Sequence, residues 1–313
     1  MGEKRYRNSF LFKLLIFLLL LFVLDLGIGF ILKKSYFKQK NSRFSKTTYI
    51  LNDLSSDIII LGDSKAEHNY VPKILEDSLN LTCYNAGSDG QSIFYYKALQ
   101  NGVLRRYTPK IFILDFGYEK LRYHPLDYER LSFLAPYYKT HQEIRSIIDL
   151  KSKMEKYKYL SRAYTFNSTL LITSKAFINP KIYNNGYNPL SSSMSGADLE
   201  YFNRNKPDKE DQIIFDTTAV NYYKLFLSDA QKAGIKVYVF ISPTYGNMDG
   251  NEKSISYLKN ITLQEGAQFY NFSVAIGSIS SDYKLFADPG HLNNTGAIKY
   301  TQKVCEIIKK TVK

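Results

Sequence analysis

Tryptophan is absent from this 313-residue chain, cysteine occurs twice and histidine four times. Two cysteines, Cys83 and Cys305, cannot form a disulfide framework, and neither has enough neighbouring ligand residues for a metal site. One falls in an expected strand and the other in an expected C-terminal helix, so two buried thiols and one disulfide both stay open. Internal repeats and low-complexity tracts are missing as well, and no basic-aromatic recognition motif stands out. Nucleic acid is therefore not an expected partner, and no metal or cofactor is expected. What the chain has in quantity is 27 Tyr and 20 Phe, read as core and surface aromatics, on an otherwise ordinary globular composition.

The formal charge of +13 is unevenly spread. Residues 1–46 hold ten Lys and Arg against Glu3 and Asp25, a balance of +8, which leaves +5 for all the rest. Inside this basic region runs LLIFLLLLFVLDLGIGFIL, residues 14–32, whose single charge is Asp25. Nineteen residues can cross a bilayer, and the run meets Lys33-Lys34 where a cleavage site would need small residues. We read a basic tail at 1–13, an uncleaved transmembrane anchor at 14–32 contacting membrane lipid, and a basic linker at 33–47. Bases flank both ends, so the orientation rests on the default for a single N-terminal anchor: N-terminus cytoplasmic, large domain outside. Asp25 inside the span implies a protein-facing position, a partner membrane protein, or a helix shifted to bring Asp25 to the surface.

From residue 48 the pattern alternates between short apolar runs and segments with helical spacing. Strands are expected at Asp57–Leu61, Leu81–Tyr84, Lys110–Gly117, Ile235–Pro243 and the AQFYNF run of residues 267–272. Helices are expected after each, including Gln91–Tyr107, Thr217–Ala233 and Thr295–Lys310. That order describes an α/β, three-layer αβα domain over 48–313 with a five-stranded, mainly parallel sheet. Residues 118–212 break the alternation and are read as an inserted, partly helical cap, with a helical stretch near His141–Tyr157.

Functional groups of open parallel sheets collect where strands end. The first strand runs into Gly62-Asp63-Ser64, the second into Asn85-Ala86-Gly87, and Asp288-Pro289-Gly290-His291 precedes the last helix. A serine needs a histidine to take its proton and an acid to hold the imidazolium, and the three-residue spacing of Asp288 and His291 lets one loop supply both. Ser64 can equally be a helix cap, Asp63 a turn holder, Gly87 a turn former, and His68 and Lys65 solvated neighbours or substrate contacts.

These three motifs, in this order, resemble the SGNH (GDSL-type) hydrolase superfamily, whose sheet is flavodoxin-like. The resemblance implies Ser64 as nucleophile, His291 as base and then acid, Asp288 as its carboxylate, and the N–H groups of Ser64 and Gly87 as oxyanion hole. The family usually adds an asparagine from a Gly-x-Asn-Asp motif, whereas this chain has Gly117-Tyr118-Glu119-Lys120. Glu119 stands where the asparagine should be, and Asn85 or Tyr118 is the stand-in to examine. With its anchor the chain is similar to the alginate acetyltransferases and the teichoic-acid D-alanyl transfer protein, which modify envelope polymers beside a membrane O-acyltransferase. The implied activity is that of a serine esterase or O-acyltransferase on acyl, first of all acetyl, esters of an envelope glycan. The alternative is a catalytically degenerate binding or scaffold subunit of such a complex.

Overall fold

The computed structural model describes residues 2–40, 42–169, 183–204, 214–246, 252–273 and 279–312. Of the segment read as a cap, residues 170–182 and 205–212 lie outside these. The chain divides into two compact units, Met1–Ser45 with Leu131–Pro180, and Lys46–Arg130 with Lys181–Lys313.

The second unit is built on five parallel strands, β1 (Ile58–Leu61), β2 (Cys83–Asn85), β3 (Ile111–Asp115), β4 (Lys236–Ile241) and β5 (Gln268–Asn271). Their order, β2-β1-β3-β4-β5, is that of flavodoxin-like doubly wound sheets. Every residue of β1 and β3 is buried, which is why both read as unbroken apolar runs: helices cover both faces. Side chains alternate between those faces. Ile58, Ile60, Ile113 and Phe240 join one core cluster with Tyr300, Val304 and Ile308 of the C-terminal helix Asn294–Val312. On the other face Phe112 meets Phe226 at 5.5 Å between ring centroids, on helix Thr217–Lys232. Each such fully buried side chain contributes about 1.5–3 kcal/mol, so the sheet centre is the most strongly held part of this unit.

The expected strands all form, trimmed by a residue or more at one or both ends, and the second, which loses Leu81 and Thr82, runs one residue further, to Asn85. After β1 the chain makes two helices, Ser64–Asn69 and Pro72–Leu79, because Pro72 lacks an N–H and restarts the helix at its own position. Cys83 and Cys305 are both buried and unbridged.

The first unit starts with one helix, Gly2–Lys38. It continues past the apolar run through residues read as linker; the next helix, Arg43–Asn52, begins in this unit and belongs from Lys46 on to the other. The side chains from Phe10 to Leu24 point outward, Phe10 being 64% and Leu24 57% exposed, while Tyr36 and Phe44 are fully buried. Tyr36 packs on Phe44, Phe166 and Tyr137 at 5.1, 5.6 and 6.1 Å, and its hydroxyl bonds that of Tyr137 at 3.2 Å. This aromatic cluster gives Ser35–Lys38 a reason to stay helical that hydropathy does not display. The helical stretch expected near His141–Tyr157 is instead a series of single turns, Gln142–Ile144, Arg145–Ile148 and Glu155–Lys158.

Asp25 faces protein. Its carboxylate accepts from Ser161 Oγ at 2.5 Å, the Arg162 N–H at 2.8 Å and the Ala163 N–H at 3.1 Å. One turn on, Gly29 sits against Arg162 so closely that a Cβ there would stand 2.8 Å from the Arg162 carbonyl carbon. A costly charge in an apolar helix thus has its partners within the same unit.

Candidate active site

The loop after β1 turns sharply at Gly62. Its φ of +146° suits only glycine, and a Cβ would collide with Ala66 and the Asp115 carbonyl. Asp63 follows as N-cap, its Oδ1 accepting the Lys65 N–H at 2.9 Å. The cap role open to Ser64 is therefore filled by its neighbour, and Ser64 is the first residue inside the helix. Helix geometry leaves its N–H without an intrahelical acceptor.

Phe286–Asp288 and His291–Leu292 pair as a small antiparallel hairpin, β6 and β7, and present the Asp-Pro-Gly-His turn. His291 Nε2 lies 2.7 Å from Ser64 Oγ, and His291 Nδ1 lies 2.9 Å from both oxygens of Asp288. Asp288 Oδ1 also accepts the N–H groups of Gly290 and His291, at 2.8 and 3.0 Å, so the carboxylate holds both its own turn and the imidazole. A ring whose Nδ1–H is held by a carboxylate exposes a basic Nε2 to the hydroxyl. Burial works against the His291 charge, yet Asp288 outweighs it and the imidazole is held above 6.5. For Asp288, burial pushes upward and the His291 bond and charge pull further down, for a net lowering.

His68 is buried with its ring edge-on to His291 at 5.8 Å, and its Nδ1 donates to the Asn188 carbonyl at 2.6 Å. Burial lowers its pKa, which keeps it a neutral donor to the loop. Among the described residues no group of three or more His, Cys, Asp or Glu side chains converges as a metal site.

Two expectations do not stand in this geometry. The Gly87 N–H donates to Asn85 Oδ1 at 2.9 Å, so the donor expected for an oxyanion is spent inside its own loop. Gly87 has a packing reason to be glycine, since a Cβ would stand 2.5 Å from Glu67 N and 2.7 Å from the Ala66 carbonyl carbon. Asn85 is fully buried, and its amide donates to the carbonyls of Ala66 at 2.7 Å and Tyr70 at 3.0 Å, leaving neither proton for a ligand. Glu119 and Tyr118 lie half-buried on a single 3₁₀ turn, Tyr118–Leu121, with the Glu119 carboxylate folded back against Gly117.

Several contributors escape sequence reading. Lys120, the residue after Glu119, forms an ion pair with Asp63. Burial would push the Asp63 carboxyl up, but Lys120 more than compensates and holds it low. Asn69 is wholly buried at the end of the serine helix, and its Oδ1 accepts the Leu292 N–H at 3.1 Å, hooking the histidine hairpin to that helix. Glu67 accepts the Asp89 N–H at 2.8 Å and the Asn188 amide at 3.2 Å. Beneath them Asp115 accepts from Tyr70 at 2.7 Å and from Ser242, and burial pushes its carboxyl up to about 7. The only sequence signal for any of these is a cluster of polar residues at strand ends.

No family model and no curated protein matches this chain. Among solved structures, a gut microbial diltiazem-metabolizing enzyme aligns at 9% identity and TM-score 0.40, over 80% of this chain and 46% of that one. The chain thus spans about half the length of that enzyme. A protein from Streptococcus pneumonia named for platelet activating factor aligns at 10% identity and TM-score 0.37, over 93% of this chain and 98% of that one. At such scores neither likeness carries weight, and the functional reading rests on the geometry of Ser64, His291 and Asp288.

Proposed function

We propose that this protein is a membrane-anchored serine esterase or O-acyltransferase of SGNH type, with the large domain outside the cytoplasm, acting on acyl esters of an envelope glycan. The observation that carries the reading is the hydrogen-bonded chain Ser64 Oγ, His291 Nε2, His291 Nδ1 and Asp288, at 2.7 and 2.9 Å. A buried structural serine has no need of a histidine whose far nitrogen is held by a carboxylate.

In the forward step Ser64 Oγ attacks the ester carbonyl while its proton passes to His291 Nε2. Asp288 keeps the resulting imidazolium oriented through Nδ1–H. The tetrahedral intermediate collapses, the alcohol leaves with the proton from His291, and an acyl-serine remains. Water or a sugar hydroxyl then attacks, losing its proton to His291, and Ser64 is released. The Ser64 N–H, free of an intrahelical acceptor at the first position of its helix, would serve as the donor to the developing oxyanion, and one well-placed donor is worth about 3 kcal/mol of barrier. The glycan substrate and a membrane O-acyltransferase partner rest on the resemblance to anchored members of the superfamily, and acetyl is the first acyl group to try.

The test is turnover of an acetyl ester, with labelling by a serine-directed fluorophosphonate, for the full chain beside Ser64→Ala. Turnover and labelling in the parent with loss of at least about 10³-fold in the variant is expected. Equal rates sink the serine mechanism.

A second reading has its own observation: Gly87 N–H and the Asn85 amide are both engaged, and a carboxylate stands at position 119. A domain short of oxyanion donors would bind acylated glycan as a scaffold subunit without turning it over. Retained glycan binding by a protein that never takes the fluorophosphonate would favour that reading.

A further inference from the structure

Away from Ser64, the first unit contains a cavity of about 540 Å³ beside the end of the apolar helix. Four cations line it, Lys33 and Lys34 from the helix, and Lys139 and Arg162 from the segment packed on it. Among the described residues no ion pair engages any of the four. Among the described residues no carboxylate lines the cavity, and Asp25, whose charge acts on Lys139, is already bonded to Ser161 and two backbone N–H groups. The rest of the wall is mainly apolar, Phe30, Phe37, Pro136 and Phe166, with Thr140 and Thr165 beside them. Unpaired cations over an aromatic floor match a ligand that is anionic at one end and hydrocarbon at the other.

The depth of the cavity agrees with that chemistry. The apolar run between Lys13 and Lys33, residues 14–32, is 19 residues long and at 1.5 Å each spans about 28 Å, close to a hydrocarbon core. Lys33 and Lys34 follow at once, so the cavity lies at headgroup level. Phe30 lines it and is still 64% exposed, turned toward where acyl chains would be. Nearby in the chain, Met154, Tyr157 and Leu160 are exposed on a segment that also carries Lys151, Lys153, Lys156 and Lys158. Apolar residues interspersed with lysines are what an interfacial surface requires.

We propose that this cavity is a binding site for an anionic phospholipid of the phosphatidylglycerol class. The headgroup phosphate sits among Lys33, Lys34, Lys139 and Arg162, and one acyl chain runs past Phe30 along the helix. The site is independent of the Ser64 chemistry and would exist in an active enzyme or in a scaffold subunit.

The experiment uses the full chain in vesicles and in detergent. Flotation with pure phosphatidylcholine vesicles reads the anchor alone. Native mass spectrometry in detergent then compares retention of phosphatidylglycerol and phosphatidylcholine by the parent and by the combined Lys33→Gln, Lys34→Gln, Lys139→Gln, Arg162→Gln variant. The expected result is a preference of at least about tenfold for phosphatidylglycerol in the parent and none in the variant, with flotation unchanged. A Lys139→Arg, Arg162→Lys variant, which keeps the charge, should keep the preference and guards against a folding defect in the fourfold change. No preference in the parent, or one that survives the fourfold change, overturns the site. Displacement of the lipid by an equal concentration of soluble glycerol phosphate would show a phosphate site without lipid, and overturns it too.

Discussion

The two sides of the candidate active site are held in different ways. Ser64 starts a helix that follows directly from a fully buried strand, and its surroundings leave no slack: Gly62 touches Ala66 and Asp115, and Gly87 touches the backbone of Ala66 and Glu67. His291 and Asp288 sit on a hairpin of three and two residues, with side chains 27% and 51% exposed. Besides the His291–Ser64 bond, the Leu292 N–H donates to Asn69 Oδ1 across from that hairpin to the serine helix. The nucleophile is therefore enclosed by close packing, whereas the base stands on a turn held by polar bonds, above a hairpin anchored in the core by Phe286 and Leu292. Damage to the first side should appear as lost stability, and damage to the second as lost turnover in a folded protein.

The largest expected effect tests the histidine side directly. Asp288→Asn removes the carboxylate that fixes the imidazole, and ester turnover should fall by about 10³-fold or more with little change in melting temperature. The pH profile of the residual activity carries a second sign. In the parent, neutral His291 is the base, so kcat/KM rises as pH climbs through a value above 6.5, because Asp288 holds the imidazolium there. In the variant that midpoint moves down. A midpoint that stays put would mean that His291 is not the titrating base.

On the serine side, Gly87→Ala should behave in the opposite manner. The new Cβ meets backbone at 2.5 Å, and overpacking of this kind destabilises by about 1–3 kcal/mol, read as a fall in denaturation midpoint before any kinetic assay. An unchanged midpoint would break the distinction between the two sides.

Asn69→Ala probes the bond between them. Losing the acceptor strands a buried Leu292 N–H, at about 1–3 kcal/mol. It should lower kcat roughly tenfold through misplacement of His291 while leaving KM near its parent value. A fall in stability with unaltered kcat would show the hairpin to be held by its own turn.

The smallest effect is a change of slope. Asp115 is buried with its pKa raised from 3.8 to about 7, so between those values the folded state holds a proton that the unfolded state has lost. Its contribution to stability is full at acid pH and is lost as pH rises toward 7. Asp115→Asn should flatten that decline and raise the melting temperature at pH 8 relative to the parent. Equal slopes for the two proteins would place the titration elsewhere.

Strand-rich runs such as Ile58–Leu61 and Ile111–Asp115 were legible because burial on both faces demands continuous apolar residues, and the long apolar N-terminal helix was legible because length and apolarity are additive along the chain. Ser64, Asp288 and His291 could be nominated because a serine needs a base and a base needs an acid, and few histidines competed. The sequence by itself thus determined the α/β alternation, the membrane-length helix and a short list of residues able to do acyl chemistry. Only the tertiary structure decided that Asp63 rather than Ser64 caps the helix, that Asn85 and Gly87 spend their donors on their own loop, and that Asp25 is satisfied by residues 136 to 138 positions away. The reason is physical: hydrophobic pattern repeats locally and survives in one dimension, whereas the partner of a buried polar group is chosen by which backbone atoms the fold brings within 3 Å of it.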